Sequence, residues 1–483
     1  MSEGVPPSKS AVAVAAPKTL RYEQDAGLPV AIEARSNRRT FYPTNGDSFS
    51  PTGTNVIRLT LNSQSFVDFS HSYLQFTFRN DAANARTLGL DMGVPFFSRL
   101  QIMSGGQELE DIQEYSRLYA MLLAAQGSDL TVNERSLTEA VKVGAHGRQL
   151  VTANGAGGTY QLRRQDQADH SADLITAING QNPDLHNAND QVANTHERTF
   201  NIPLVSGIFN VEKYFPLLLT EQGLDVYLTL NPAVDVGVWS GANPNTYEIN
   251  NVKYIAHEVN LDDSFVNQMK ASMGATGGVL SMSSTTYRYY QDQKPATSTG
   301  THTSNISCRV KSLKGLLVRP QHAAMTNSVT NYAISTGQMM GINEVQFRVG
   351  SVLYPQAPIT FSDNNRGEAY NEIRKCFGTI GSYAHGTMLN SVTYQRNADE
   401  RNTAIGLTAS VKSLFMYAYD FETFAKSATE SGLNVADNAL PVVMECKLNG
   451  SANQADQQAR IDMFAMCDCI IYIDSLGRVS TRI

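Results

Sequence analysis

The chain has 483 residues and 52.8 kDa, and only 17 per cent of it is charged, with 38 Lys and Arg against 45 Asp and Glu. Ordinary soluble domains carry about 25 per cent charge; here Asn, Gln, Ser and Thr fill the gap. A net charge of −7 excludes a generally cationic nucleic-acid coat, which needs clustered Lys and Arg, and the length favours two domains over one core.

Residues 1–50 show no sustained period of 2 or 3.6. The apolar run Ala11 to Ala16 is short of the ~20 residues a membrane-spanning helix needs, and the acidic start at Glu3 does not fit a secretory leader. Lys9, Lys18, Arg21, Arg35, Arg38 and Arg39 against Glu3, Glu23, Asp25, Glu33 and Asp47 leave this segment at +1. It is expected to be an extended arm that docks on its own protein or a neighbour. From Asn55 onward, short β-branched and aromatic runs bounded by Asn, Asp, Gly and Pro predict strands. They are Val56 to Leu61, Phe66 to Phe69, Tyr73 to Phe78, Phe96 to Met103, Phe200 to Phe209, Leu224 to Leu230 and Val252 to Val259. Then come Thr286 to Tyr290, Ile306 to Val318, Val345 to Tyr354, Val411 to Tyr419, Val442 to Leu448 and Met463 to Ile473. Helical spacing appears at Ile112, Tyr115, Leu118, Tyr119, Leu122 and Leu123 with Gly127 as a stop, and more briefly at Tyr370, Ile373, Arg374 and Phe377 before Gly378. Many short strands and little helix favour β-sandwiches. Five cysteines, all in the second half, read as reduced thiols and not as a disulfide framework.

The order of elements repeats. Leu100-Gln101-Ile102, a turn at Gly105-Gly106 and the first helix are answered by Val345-Gln346-Phe347, a turn at Gly350-Ser351 and the shorter helix. Glu221-Gln222-Gly223-Leu224 is answered by Glu430-Ser431-Gly432-Leu433, each expected to lead into a strand. The offset between copies falls after the helix, which places a long insertion at about 128–197 of the first copy. The domains expected are the arm 1–50, a first sandwich over 51–270 and a second over 271–483, with the boundary near Met273-Gly274-Ala275-Thr276-Gly277-Gly278.

Asn55-Val56-Ile57-Arg58-Leu59-Thr60-Leu61 through Ser65-Phe66-Val67-Asp68-Phe69 to Ser72-Tyr73-Leu74-Gln75-Phe76 is similar to the opening strands of polinton-like virus capsid proteins. Ile202-Pro203-Leu204, Gly207-Ile208-Phe209 and Tyr214-Phe215-Pro216-Leu217 are a second match, and Gly350-Ser351-Val352-Leu353-Tyr354-Pro355 a third. In this order, over residues 50 to 483, the chain resembles the double jelly-roll major capsid proteins of adenoviruses, membrane-containing bacteriophages, large DNA viruses of eukaryotes, virophages and polinton-like viruses. The resemblance implies an all-β fold of two tandem eight-stranded jelly rolls. It also implies a pseudo-hexagonal homotrimer that tiles an icosahedral shell around a DNA genome, assembled inside the host cell. Neighbouring capsomers, a penton and minor or cement proteins are the implied partners, and the insertion would be an outer tower or a trimer-interlocking loop.

Chemistry has few footholds. Asp166, Asp169, His170, Asp173, Asp184, His186, Asn187, Asp190, His196 and Glu197 combine carboxylates with imidazoles, but lack the spacing and turn glycine of a calcium loop and read as a solvated loop. Cys467 and Cys469 alternate in an apolar strand, with no second Cys or His pair to complete a zinc site. Cys376 near His385 sits at a helix C-terminus, where the dipole disfavours a thiolate. Gly155-Ala156-Gly157-Gly158 is followed by Thr159-Tyr160-Gln161, without the lysine of a phosphate loop, and Gly-x-Ser-x-Gly and His-Glu-x-x-His are absent. Arg163-Arg164 and the arm's Arg35, Arg38 and Arg39 are expected to pair with acidic neighbours in an assembled shell. Tyr287, Tyr289 and Tyr290 are expected to pack between sandwiches. No catalytic, cofactor or metal residue is therefore assigned, and a structural shell subunit without sequence-specific nucleic-acid binding is the reading. A receptor- or carbohydrate-binding fibre protein is the alternative, weakened by the single Trp239; a β-sandwich hydrolase lacks its motifs.

Overall fold

The computed structural model describes residues 34–80, 95–127, 197–236, 246–276 and 278–483, apart from 298, 324–333, 363–364, 382–386, 388, 390–393, 395–413, 424–430, 437–440 and 450–457. It also gives the backbone at 86–87, 138, 148–152, 160–164, 191–192 and 238–239.

The first half is built from β1 (Ala34–Phe41), β2 (Val56–Leu61), β3 (Phe66–Asn80), β4 (Phe97–Ser104), β5 (Gln107–Gln113), α1 (Tyr115–Gln126), β6 (Glu197–Ile202), β7 (Leu224–Leu230) and β8 (Tyr247–Leu261). A helix, α2 (Asp263–Thr276), leads to the second half. There follow β9 (Leu280–Lys294), β10 (Gly300–Ile306), β11 (Leu313–His322), β12 (Ile342–Val349), β13 (Val352–Thr360), α3 (Gly367–Cys376), β14 (Tyr417–Asp420), β15 (Val442–Leu448), β16 (Ala459–Ile473) and β17 (Val479–Arg482).

Each half pairs its strands in the same antiparallel order. The first has sheets β1-β8-β3-β6 and β2-β7-β4-β5; the second has β9-β16-β11-β14 and β10-β15-β12-β13. Strand n of the first half is thus matched by strand n + 8 of the second, with a helix after the fifth strand in both. These are two eight-stranded jelly rolls. Their cores follow from period-two patterning: Leu100, Ile102 and Ser104 alternate inward along β4, as do Val345, Phe347 and Val349 along β12, and Phe97 and Ile342 join them across a bulge in each strand. Aromatic rings fill the first core, with Phe76, Phe96, Phe97 and Phe200 in mutual contact at centroid distances of 5.1 to 5.4 Å. In the second, Phe347, Tyr419 and Phe421 play the same part, with centroids 4.9 to 5.8 Å apart.

Several boundaries differ from the sequence-based expectation. The run Ile306 to Val318 is two strands, β10 and β11, divided by 307–312. Val345 to Tyr354 covers a hairpin, turned by Gly350 at φ +62° as Gly105 and Gly106 turn its counterpart at +57° and +79°. The pairing of Gly223 with Gly432 fails. Gly223 lies against Leu61, whereas Leu433 bridges Leu313 and the strand equivalent to β7 begins at Val442. Residues 34–41, placed in the arm, form β1 at a sheet edge. Helix α2 was not anticipated, although Asp262 caps it by accepting the Ser264 N–H at 3.3 Å. The expected insertion falls largely outside the described residues.

Candidate functional site

The two sandwiches meet along α1, β5, β9, β11 and β16. From Tyr115 to Ala125, every residue of α1 is buried, whichever face it occupies. Ser116 joins α1 to its own sandwich, where its hydroxyl donates to the Phe97 carbonyl. Toward the second, Arg117 Nη1 donates to Gln321 Oε1 at 2.9 Å and to Asp462 Oδ2 at 3.0 Å, and the Ala124 carbonyl accepts from Thr387 Oγ1 at 3.1 Å.

Asp462 is the hub of this junction. Its Oδ1 accepts from Tyr289 at 2.8 Å and from Arg460 Nε at 2.7 Å, and its Oδ2 lies 3.7 Å from Arg319 Nη2. Burial alone would raise its pKa, but Arg117, Arg460 and Arg319 outweigh that and hold it at about 2. Arg319 is pressed down to about 9 by its own burial and by Arg117. Glu114 balances the cluster, its carboxylate 3.0 Å from both Arg117 Nε and Arg460 Nη2. It holds the left-handed backbone at the start of α1, with φ +52°, a conformation that a non-glycine residue keeps only where its surroundings fix it.

A second tie is Glu110 of β5, fully buried. Its Oε1 accepts the Gly207 N–H at 2.8 Å and the Thr286 hydroxyl of β9, and its Oε2 the Ile208 N–H at 3.4 Å. Burial raises its pKa, against the pull of these hydrogen bonds. Thr481 Oγ1 of β17 donates to the Leu109 carbonyl at 2.8 Å beside it. Buried, partnered charges of this kind fix one relative placement of two surfaces, because displacement leaves ions unpaired away from water.

The residues weighed from sequence are dispersed. Tyr287 and Tyr289 do lie at the junction, Tyr289 with its ring 5.1 Å from that of Phe464, while Tyr290 is half-buried nearby. Arg38 donates to the Tyr73 hydroxyl at 3.2 Å, and Arg39 lies 3.7 Å from Glu258, so both have partners within the chain. Cys467 and Cys469 are buried on one face of β16, and the Cys467 thiol donates to the Ala465 carbonyl at 3.6 Å. The Cys376 thiol is pushed well up by burial. Glu197 is exposed at the start of β6; Asp166, Asp169, His170, Asp173, Asp184, His186, Asn187, Asp190, His196, His385 and Gly155–Gly158 lie outside the described residues. Among the described residues no group of three or more side chains is placed to hold a metal ion, and no helix is long and apolar enough to cross a membrane.

Sequence reasoning missed Glu110, Glu114, Arg117, Arg319 and Asp462. A signal was present in four of them. Arg117 interrupts an apolar helix, Arg319 and Asp462 stand inside apolar strands, and Glu110 falls where β5 should point inward. A charge inside an apolar run announces a buried partner, but the partner's identity is not written in the run.

No family model matches the chain, and no curated protein matches it. Solved structures do. PBCV-1 VP54, fitted into a reconstruction of the virophage Sputnik, matches with a TM-score of 0.57 at 10% identity, covering 95% of this chain and 98% of its own. A chain of the Sputnik virophage structure gives 0.54 at 12%, covering 100% and 95%. The Faustovirus major capsid protein gives 0.52 at 8%, covering 94% and 93%. The chain is a double jelly roll, the architecture of viral major capsid proteins such as that of Faustovirus.

Proposed function

We propose that the chain is a viral major capsid protein, a structural subunit without a catalytic site. Three copies form a pseudo-hexagonal capsomer, and capsomers tile an icosahedral shell around a DNA genome. The observation that carries this reading is the duplication within one chain. Two jelly rolls of identical strand order, locked by a buried charge network, give one subunit two similar lateral faces. Such a subunit supplies six similar units from three copies. The low charge of the whole chain supports the role, since packed interfaces avoid burying unpaired ions.

Within this reading residues 1–33 are an arm tying subunits together, the first jelly-roll domain begins with β1 at Ala34 and runs to about 270, residues 271–483 are the second, and the segment about 128–197 is an outer tower or an interlocking loop. Penton and cement proteins would complete the shell. Mass photometry of the purified chain tests the proposal: a stable species near three times 52.8 kDa is expected, with icosahedral shells in electron micrographs of expressed material. A stable monomer that yields no shells overturns it.

A further inference from the structure

The buried charges at the junction do not cancel. Arg117 and Arg460 each meet both carboxylates, Glu114 and Asp462, at 2.7 to 3.0 Å. Those two arginines and two carboxylates are neutral as a set, and Arg319 of β11 is left over. Its side chain is only 3% exposed, and Asp462 Oδ2 lies 3.7 Å from its Nη2, too far for a hydrogen bond. A guanidinium keeps its proton at neutral pH. Among the described residues, one positive charge is therefore buried between the sandwiches without a counter-ion of its own, which is costly.

The hydrogen-bond donors of Arg319 are left over in the same way. Nη1 donates to the Ile334 carbonyl at 2.5 Å, whereas Nε and Nη2 have no hydrogen-bond partner. Those two nitrogens form one edge of the guanidinium, the parallel fork that grips an anion at two points. Ser335, the residue after Ile334, is 4% exposed, and its hydroxyl also has no partner. Polar groups around them are satisfied: Gln321 Nε2 donates to the Thr336 carbonyl at 3.1 Å, and Gln338 Oε1 accepts the His322 N–H at 2.9 Å. Buried donors without partners are rare in folded proteins and mark a bound water or ion. The surplus charge favours an ion, because a water molecule would leave it uncompensated.

We infer that the Nε–Nη2 fork of Arg319, with the Ser335 hydroxyl, holds a halide ion, ordinarily chloride, at the junction of the two sandwiches. One negative charge matches the surplus of one, whereas a phosphate would overshoot it. The surroundings are also close-packed: a Cβ on Gly337 would lie 2.9 Å from Arg319 Cγ and 2.0 Å from the Phe415 carbonyl oxygen, which favours a single atom over a polyatomic group. Asp462 does not compete for the fork, since Arg117, Arg460 and Tyr289 already occupy its oxygens. Every ligand belongs to one chain, so the site does not depend on how copies assemble. Its occupancy makes the fixed placement of the sandwiches respond to the halide content of the medium.

The full-length chain, R319M and S335A are melted at pH 7 while chloride replaces gluconate at constant ionic strength. Exchanging a buried ion for an apolar side chain of similar volume is often neutral or stabilising, so R319M should fold without chloride. The wild type is expected to gain about 3 °C or more as chloride saturates the site. R319M should be indifferent, and S335A should need about tenfold more chloride for the same gain. Wild-type crystals grown in bromide should show an anomalous peak against Arg319 Nε and Nη2. A wild type that gains nothing, a gain shared equally by R319M, or a bromide map without a peak at the fork overturns the inference. If R319M fails to fold, S335A and the bromide map decide.

Discussion

Replacing Asp462 by Asn removes one charge from the junction while keeping the side chain's shape. Both carboxylate oxygens are committed. Oδ1 receives Tyr289 and Arg460, and Oδ2 receives Arg117 with Arg319 nearby. Whichever way the amide turns, its NH2 group faces a guanidinium donor. Three arginines then answer to Glu114 alone, and Arg319 retains only its 2.5 Å bond to the Ile334 carbonyl. Breaking a buried ion pair costs about 3–5 kcal/mol. Because Glu114 still serves Arg117 and Arg460, the lower end applies, about 3 kcal/mol. For a sandwich of this size that is a fall of roughly 6–12 °C in melting temperature. Differential scanning calorimetry at pH 7 measures it, and a second, earlier transition would show the sandwiches parting before either unfolds. A D462N protein melting within about 2 °C of wild type would refute the claim that this network carries the junction.

Acid should narrow the gap between those two proteins. Asp462 titrates at about 2 when folded against an ordinary 3.8, so its contribution of about 2 kcal/mol is complete above the ordinary value and lost as pH falls through that window. Denaturant midpoints between pH 5 and 2.5 read this (a constant gap contradicts it), with Glu110, whose pKa is raised, acting in the opposite sense in both proteins. Glu110→Ala strips the acceptor from two buried N–H groups and the Thr286 hydroxyl and is expected to cost about 2–4 kcal/mol, read as a lower denaturant midpoint. Gly223→Ala should destabilise by about 2 kcal/mol or more, because the residue sits at φ +68° and a Cβ would lie 2.3 Å from the Leu61 carbonyl oxygen; unchanged chemical unfolding would count against it. Finally, iodoacetamide at pH 8 should label native Cys376, whose thiol burial pushes up, far more slowly than the unfolded chain, as intact mass will show.

Much of the fold was legible because it is written in short-range patterns. Period two marked most of the strands, Gly127 ended α1 at the expected residue, and the Gln101/Gln346 correspondence falls on equivalent strands β4 and β12. Failures came where local signals were shared by two outcomes. The run from Ile306 to Val318 is apolar at both ends and polar between, which suits one bulged strand as well as two. Asp262 and Ser264 cap α2, but the glycines after it read as a linker. The junction was illegible for a different reason. Arg117 and Asp462 are 345 residues apart in sequence, and no periodicity within either element encodes which charge meets which.

The burial of α1 on all sides sets a timetable for synthesis. Its outward face is completed by β11, β16 and Thr387 of the second half, and Asp462 leaves the ribosome long after Gln126. At about 5–20 residues per second, that face waits on the order of half a minute for its cover. During that interval the nascent first jelly roll offers an apolar helix whose Arg117 has Glu114 but not yet Asp462, a natural foothold for a chaperone and a hazard at high expression. Any truncation that ends before β16 makes that waiting state permanent.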